Sequence, residues 1–173
     1  NEGDCRMKIK ICENNTDWSR YTEFYLMNRH DVIAGYTVSN AMLDVKHFIR
    51  HGRGAILLEE PDEIIGIGSF VLGLEERKFD RKEIAVLGNC YFVERHRSTR
   101  TFIRGLQVLA EQIGASSDGV REVRIPALAE NRYTNKLYSK IADKIETRDS
   151  AYGPVNMYAT SFPAFVAYCD RFR

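Results

Sequence analysis

The stretch Ile84 to Ile113, IAVLGNCYFVERHRSTRTFIRGLQVLAEQI, constrains this chain more than any other. It opens with Ile84 to Val93, an apolar run bounded by charged residues, which is the pattern of a buried strand. It closes with Phe102, Leu106, Leu109 and Ile113, whose spacing of 4, 3 and 4 marks one face of an amphipathic helix. Between them lies Glu94 to Thr101, a polar turn dense in cations and hydroxyls. A strand, a basic turn and a helix in succession present positive charge and unpaired backbone N–H groups to an anion. The first turn of a helix has no internal partners for its donors, and the helix dipole favours negative charge there. Serine or threonine at the helix start fits the capping preference. The turn is therefore expected to hold a phosphate-bearing ligand; from these residues alone, the alternative is a solvated basic turn that binds nothing.

With 173 residues the chain suits one domain with a full core. Its 25 basic residues face 24 acidic ones, so bulk positive charge cannot drive general binding to nucleic acid or to a membrane surface. The cysteines Cys5, Cys12, Cys90 and Cys169 form no C-x-x-C pair and no zinc spacing, and are read as reduced thiols in a cytoplasmic protein. No run approaches the roughly 18 apolar residues of a membrane span, and no secretory h-region is present. Asn1 to Arg6 are read as a leader or tag remnant, with Met7 a candidate start.

Along the chain, Met7 to Cys12 alternates as a short strand, and Asn14 to Asp17 is a turn and helix-cap cluster. A first helix is expected over Trp18 to Asn28, and a second over Ser39 to His51 with Met42, Val45 and Ile49 inward and Gly52 as its stop. Ala55 to Glu59 and Ile64 to Leu72 form a hairpin around Pro61 and Asp62, and Gly66 and Gly68 in its second strand point to a bulge or a close approach. Leu74 to Lys82 is expected as a loop, and Gly114 to Gly119 as another. Val120 to Leu128 is expected as a strand, Asn131 to Ile141 as a helix, and Lys144 to Thr147 with Val155 to Thr160 as a closing strand pair. Phe162 to Arg173 reads as a last helix with Phe165, Val166, Cys169 and Phe172 on one side; it either packs on the domain or makes a homodimer contact. The order β, α, α, β, β, β, α, β, α, β, β, α suits a mixed α/β sheet with helices on its faces.

This order, with a basic turn after the fourth strand, resembles the GNAT superfamily of acyl-CoA N-acyltransferases. Phe92 to Phe102, FVERHRSTRTF, is similar to the family's acyl-CoA loop V-x-P-E-x-R-G-x-G-x-G/A. Arg97 falls on its leading Arg or Gln, and Ser98, Arg100 and Phe102 replace its glycines. Asn131 to Asp143, NRYTNKLYSKIAD, resembles N-x-x-A-x-x-L-Y-x-K-L-G-F, with Asn131, Leu137, Tyr138 and Lys140 in register.

The resemblance implies a single GNAT-like domain with a mostly antiparallel twisted sheet, helices on both faces and an extra C-terminal helix. It implies acetyl transfer from acetyl-CoA to a primary amine of a small molecule or a protein, without metal, nucleic acid or membrane. Phe92, Val93, Arg97, Ser98, Thr99, Arg100, Thr101 and Asn131 would bind the donor, the pyrophosphate lying on the backbone N–H groups of Arg97 to Thr101. Tyr138 would be the general acid, because a phenol with a reference pKa of about 10 is protonated at neutral pH. Asn131, Thr134 and Tyr138 share one helical stripe toward a cleft, with Tyr133, Leu137 and Ile141 in an adjacent stripe for the core. The run Ile84 to Val93 holds no carboxylate: Glu83 precedes it, Asn89 and Tyr91 could only position water, and Glu59, Glu60 or a water chain stays open, with no base assigned. His47 and His51 at i, i+4 lack a third metal ligand. The alternative implied by the missing glycines is a non-catalytic GNAT-like CoA-binding or interaction domain.

Overall fold

The computed structural model describes residues 7–173, so Cys5 and the expected leader lie outside the described residues. One seven-stranded sheet has the order β1-β2-β3-β4-β5-β7-β6. Its strands are β1 Lys8–Ile11, β2 Gly52–Glu59, β3 Glu63–Leu74, β4 Asp80–Phe92, β5 Glu122–Leu128, β6 Asp143–Arg148 and β7 Val155–Ser161. Every neighbouring pair is antiparallel except β4 and β5. The helices are α1 Asn15–Met27, α2 Arg29–Val32, α3 Val38–His51, α4 Thr99–Ser116, α5 Arg132–Ser139 and α6 Phe162–Asp170. The mixed sheet with helices on both faces and a C-terminal helix is the expected architecture. The short α2 is added in a segment for which the sequence has no clear periodicity.

Local chemistry sets the helix starts. The Asn14 side chain accepts from the Asp17 N–H at 2.9 Å, so α1 begins at Asn15 rather than at Trp18. Ser98 caps α4 by accepting from the Thr101 N–H at 3.1 Å, and all four of Phe102, Leu106, Leu109 and Ile113 are buried. One face of the sheet carries α4, α5 and α6, packed with Phe70, Ala85, Leu87, Val123 and Ile125. The other carries α1 and α3, where Tyr21, Tyr25, Tyr36, Val45 and Phe48 pack on Ile56 and Ile67.

Three expectations need correction. Helix α3 buries Ala41, Val45 and Phe48, while Met42 and Ile49 are 44% and 48% exposed. The small Ala41 side chain lets the helix lie close against the tyrosine layer, which turns the apolar stripe by one position. Gly52 stands just after the end of α3 as expected; its φ of −157° is extended rather than left-handed, and β2 starts there directly. Glycine is needed because an added Cβ would lie 1.7 Å from the Phe70 carbonyl oxygen. The expected loop from Leu74 to Lys82 shrinks to a 3₁₀ turn, Glu75–Arg77, with left-handed Lys78 and Phe79. Strand β4 therefore begins at Asp80, held by pairing with Leu74 that side-chain periodicity cannot reveal. Finally, Phe172 leaves the expected apolar side and is 52% exposed, because α6 ends at Asp170. Helix α6 packs against α4, burying Phe165 and Cys169, and the Gln107 side chain donates to the Cys169 carbonyl at 3.0 Å.

The glycines of β3 do mark close approaches. A Cβ on Gly66 would meet the Phe92 ring at 2.5 Å, and one on Gly68 would meet Leu109 of α4 at 3.3 Å.

Candidate functional site

The sheet opens in its middle. Strands β4 and β5 pair in parallel only through Ile84↔Glu122, Ala85↔Val123 and Val86↔Arg124, and then part. Just beyond, β4 bulges: Gly88 and Asn89 together oppose Ser69, whose hydroxyl accepts from the Asn89 N–H at 2.9 Å. A bulge adds local twist and bends the strand, which turns β4 away from β5. The gap widens into a cleft of about 1040 Å³. Its walls are Gly88 to Phe92 of β4, Pro126 to Leu128 of β5, the start of α4 and the inner side of α5.

At one end stands the N-terminus of α4. The Thr101 N–H bonds to Ser98 Oγ, and the Phe102 N–H to the Ser98 carbonyl. The N–H groups of Ser98, Thr99 and Arg100 have no partner among the described residues. Three unpaired donors at a helix start are the arrangement that favours an anion.

The side chains of the basic turn are largely committed elsewhere. Arg95 pairs with Glu63 at 2.6 Å, and His96 with Glu59 at 2.8 Å, on the β2–β3 hairpin. The Arg97 guanidinium donates to the Phe92 carbonyl at 2.8 Å, lies 5.2 Å from the Tyr91 ring centre and pairs with Asp31 at 3.5 Å. Thr99, Arg100 and Thr101 border a second groove with Lys8 and Arg104, whereas Arg97, Ser98, Phe92 and Asn131 border the cleft. Val93 borders neither and packs with Leu57, Ile65 and Phe92. The structure therefore divides the residues that the sequence groups as donor ligands. Backbone amides, more than arginine heads, face an incoming anion. Phe102 stands where a glycine or alanine is usual; its buried ring forms cleft wall 5.8 Å from the Tyr138 ring.

Tyr138 lies on α5, and the sequence did not mark what holds that helix. The Asn135 amide donates to the Leu128 carbonyl at 2.9 Å and the Asn131 carbonyl at 2.7 Å. Its oxygen accepts from Asn156 and Tyr158, each at 2.8 Å. This one side chain ties α5 to β5 and β7. Asn131 caps the helix through the Thr134 N–H at 3.1 Å. Tyr138 is 7% exposed and borders the cleft, and its hydroxyl has no hydrogen-bond partner among the described residues. Burial raises its pKa, with Cys90 adding to the effect, so the phenol holds its proton throughout the neutral range. Tyr133, expected in the core stripe, is instead 56% exposed at the cleft rim, because the buried residues of α5 are Leu137 and Tyr138.

The opposite end of the cleft is acidic and aromatic, which sequence reading missed. Asp31 of α2, Asp44 of α3 and Glu75 of the 3₁₀ turn all border it, and Arg97 is the one basic residue on its walls. Tyr36 donates a short hydrogen bond to Asp44 and shares another with Tyr25 at 2.9 Å. Burial raises the Asp44 pKa against the opposing pull of the Tyr36 hydroxyl. Tyr152, in the β6–β7 loop, accepts from Asn40 Nδ2 at 2.6 Å and from the Thr37 N–H at 3.2 Å. Those bonds lower its pKa and strap the loop to the start of α3, with the Tyr152 ring edge-on to Tyr36 at 5.4 Å. The carboxylates considered as bases lie elsewhere: Glu83 pairs with Arg81, Glu60 with Lys8 and Glu59 with His96. His47 and His51 flank the Phe79 ring, His51 stacking on it at 3.7 Å. Among the described residues no cluster of three or more potential metal ligands exists, and no helix is long and apolar enough to cross a membrane.

No family model and no curated protein matches the chain. Solved structures do. An acetyltransferase of the GNAT family from Streptococcus pneumoniae aligns with a TM-score of 0.63 at 14% identity, over 90% of this chain and 99% of that one. The ribosomal-protein-S18-alanine N-acetyltransferase from Escherichia coli aligns with a TM-score of 0.66 at 13% identity, over 91% and 94%. A ribosomal L7/L12 α-N-protein acetyltransferase in complex with coenzyme A aligns with a TM-score of 0.64 at 15% identity, over 91% and 95%. Over nine-tenths of its length, the chain has the GNAT fold.

Proposed function

We propose that this protein is an N-acyltransferase that moves an acetyl group from acetyl-CoA to a primary amine by direct attack. The observation that carries the reading is the parting of β4 and β5 beside three unpaired N–H groups at the start of α4, with the buried Tyr138 hydroxyl on the facing wall. The donor's pyrophosphate lies at Ser98, Thr99 and Arg100, where the helix dipole and fixed donors receive it. Its acyl arm runs into the cleft past Phe102. The amine enters from the end lined by Tyr36 and Tyr152.

In the reaction a bond forms from the amine nitrogen to the thioester carbon, the carbon–sulfur bond breaks, and its electron pair goes to sulfur. Tyr138 gives its proton to that sulfur, and the phenolate recovers a proton from solvent. Water in the open cleft takes one proton from the ammonium before attack and a second from the nitrogen as the amide forms, since β4 carries no carboxylate within the apolar run from Ile84 to Phe92.

Isothermal titration with acetyl-CoA tests the reading, followed by an amine screen for thiol release. Saturable binding with Tyr138-dependent turnover is expected. A folded protein that ignores millimolar acetyl-CoA would leave only a GNAT-shaped interaction domain.

A further inference from the structure

The second end of the cleft bears on which amine is accepted. Three carboxylates from separate elements face it, whereas one guanidinium does, and that guanidinium is paired with Asp31. Asp44 and Glu75 are left beside each other, close enough that Glu75 helps to raise the Asp44 pKa, with burial the larger cause. His47 approaches Glu75 at 3.8 Å from the α3 side. Tyrosine rings at 36, 91 and 152 complete the wall, and such faces favour cations. One feature besides the charges points to a ligand in this cleft. The Tyr138 hydroxyl, in a side chain more than nine-tenths buried, has no partner among the described residues. A hydroxyl that borders a cleft without a protein partner is available to a ligand.

We infer that the acceptor is a small organic dication, a chain with two ammonium groups, whose far charge rests between Asp44 and Glu75 while its near amine is presented to the thioester. A monoamine would leave that carboxylate pair with only the Tyr36 hydroxyl and the His47 ring as partners. The Tyr152 strap favours a short molecule over a polypeptide passing through, because its bonds to Thr37 and Asn40 bridge the cleft at this end. The inference rests on the acyltransferase reading for the fate of the near amine, but not for binding of the cation.

The test is calorimetric titration of the full chain, without acetyl-CoA, with 1,4-diaminobutane and with 1-aminobutane at low ionic strength. The diamine should bind about tenfold tighter or more, as expected for an added charge pair at a partly buried site, and the excess should fall as salt is raised. Asp44→Asn should remove most of that excess. Glu75→Gln, on an exposed turn where folding is not at stake, should remove part of it. Equal affinity for the two amines, or an excess that survives both substitutions, overturns the inference. If acetyl-CoA does not bind yet the diamine preference holds, the acyltransferase reading falls and the cation site stands.

Discussion

Replacing Thr99 by proline isolates the backbone donor on which the donor site depends. Thr99 is the first residue of α4, immediately after the Ser98 cap, and its N–H has no partner among the described residues. Proline at that position removes one hydrogen and nothing from the helix ladder, since its φ suits a first helical residue. The residue before proline must be extended, and Ser98, at φ −150° and ψ 159°, already is. Folding stability should therefore change by less than about 0.5 kcal/mol. A hydrogen bond from an N–H to a charged phosphate contributes about 1.5–3 kcal/mol. At 1.4 kcal/mol per decade, its loss should raise the Kd for acetyl-CoA about 10- to 100-fold. Thr99→Ala keeps the N–H and should bind as the parent does. The assay is isothermal titration of all three proteins, with thermal unfolding as the control on folding. An unchanged Kd in a folded Thr99→Pro variant refutes the assignment of the pyrophosphate to these amides. A loss of equal size in Thr99→Ala refutes it too, since it would move the contact to the side chain.

Tyr138→Phe should keep the Kd for acetyl-CoA and lower kcat about 10²- to 10⁴-fold, measured by thiol release; because the hydroxyl has no partner among the described residues, unfolding should be almost unaffected. Leu106→Ala removes a fully buried side chain at the centre of α4 and should cost about 2–5 kcal/mol in urea unfolding. Gly52→Ala should destabilise at the upper end of about 1–3 kcal/mol, because its Cβ meets backbone that cannot yield; a cost near zero would mean that β2 shifts freely. Asp17 accepts from the Glu13 N–H at 3.1 Å and pairs with Lys10 at 3.4 Å, and the Glu13 bond leads in holding its pKa below the usual aspartate range. Its contribution to stability is thus fully present above the unfolded value of about 3.9 and is lost as pH falls through the lower folded value. The gap in unfolding free energy between parent and Asp17→Asn should accordingly close below that pH; a gap constant from neutral to acid would refute the pairing.

What could be read from the residues followed side-chain periodicity. The strand, turn and helix unit is visible because Ile84 to Val93 is apolar but for Asn89 and because Phe102, Leu106, Leu109 and Ile113 recur at helical spacing. Asn131 and Tyr138 stand out because cap and cleft residues share one helical stripe. Other features arise from pairing and packing that no local pattern encodes. The first residues of β4 are charged and look like loop, yet backbone bonds to β3 extend the strand through them. Asp31, Asp44 and Glu75 lie far apart along the chain and meet only when α2, α3 and the 3₁₀ turn fold against one cleft. Asn135 looks like any polar helix residue until four hydrogen bonds to β5, β7 and its own cap reveal it as the fastening of α5. The cations of the turn mislead for the converse reason: their charge is visible, but the hairpin carboxylates that neutralise Arg95 and His96 are not.

A sheet that divides in its interior has four borders rather than two. The outer pair runs along β1, KIKI, and β6, DKIETR, short strands carrying a charge at nearly every second position. Charge and brevity there discourage another chain from adding a strand. The inner pair, Leu87 to Phe92 and Ile125 to Leu128, carries no charged residue. Those borders need no such guard, because the layers of helices on either face leave no room for a foreign strand. Solubility is thus defended at the rim by lysine, aspartate and glutamate, while the open borders inside stay neutral and bare, with their backbone donors and acceptors free for a ligand narrow enough to enter.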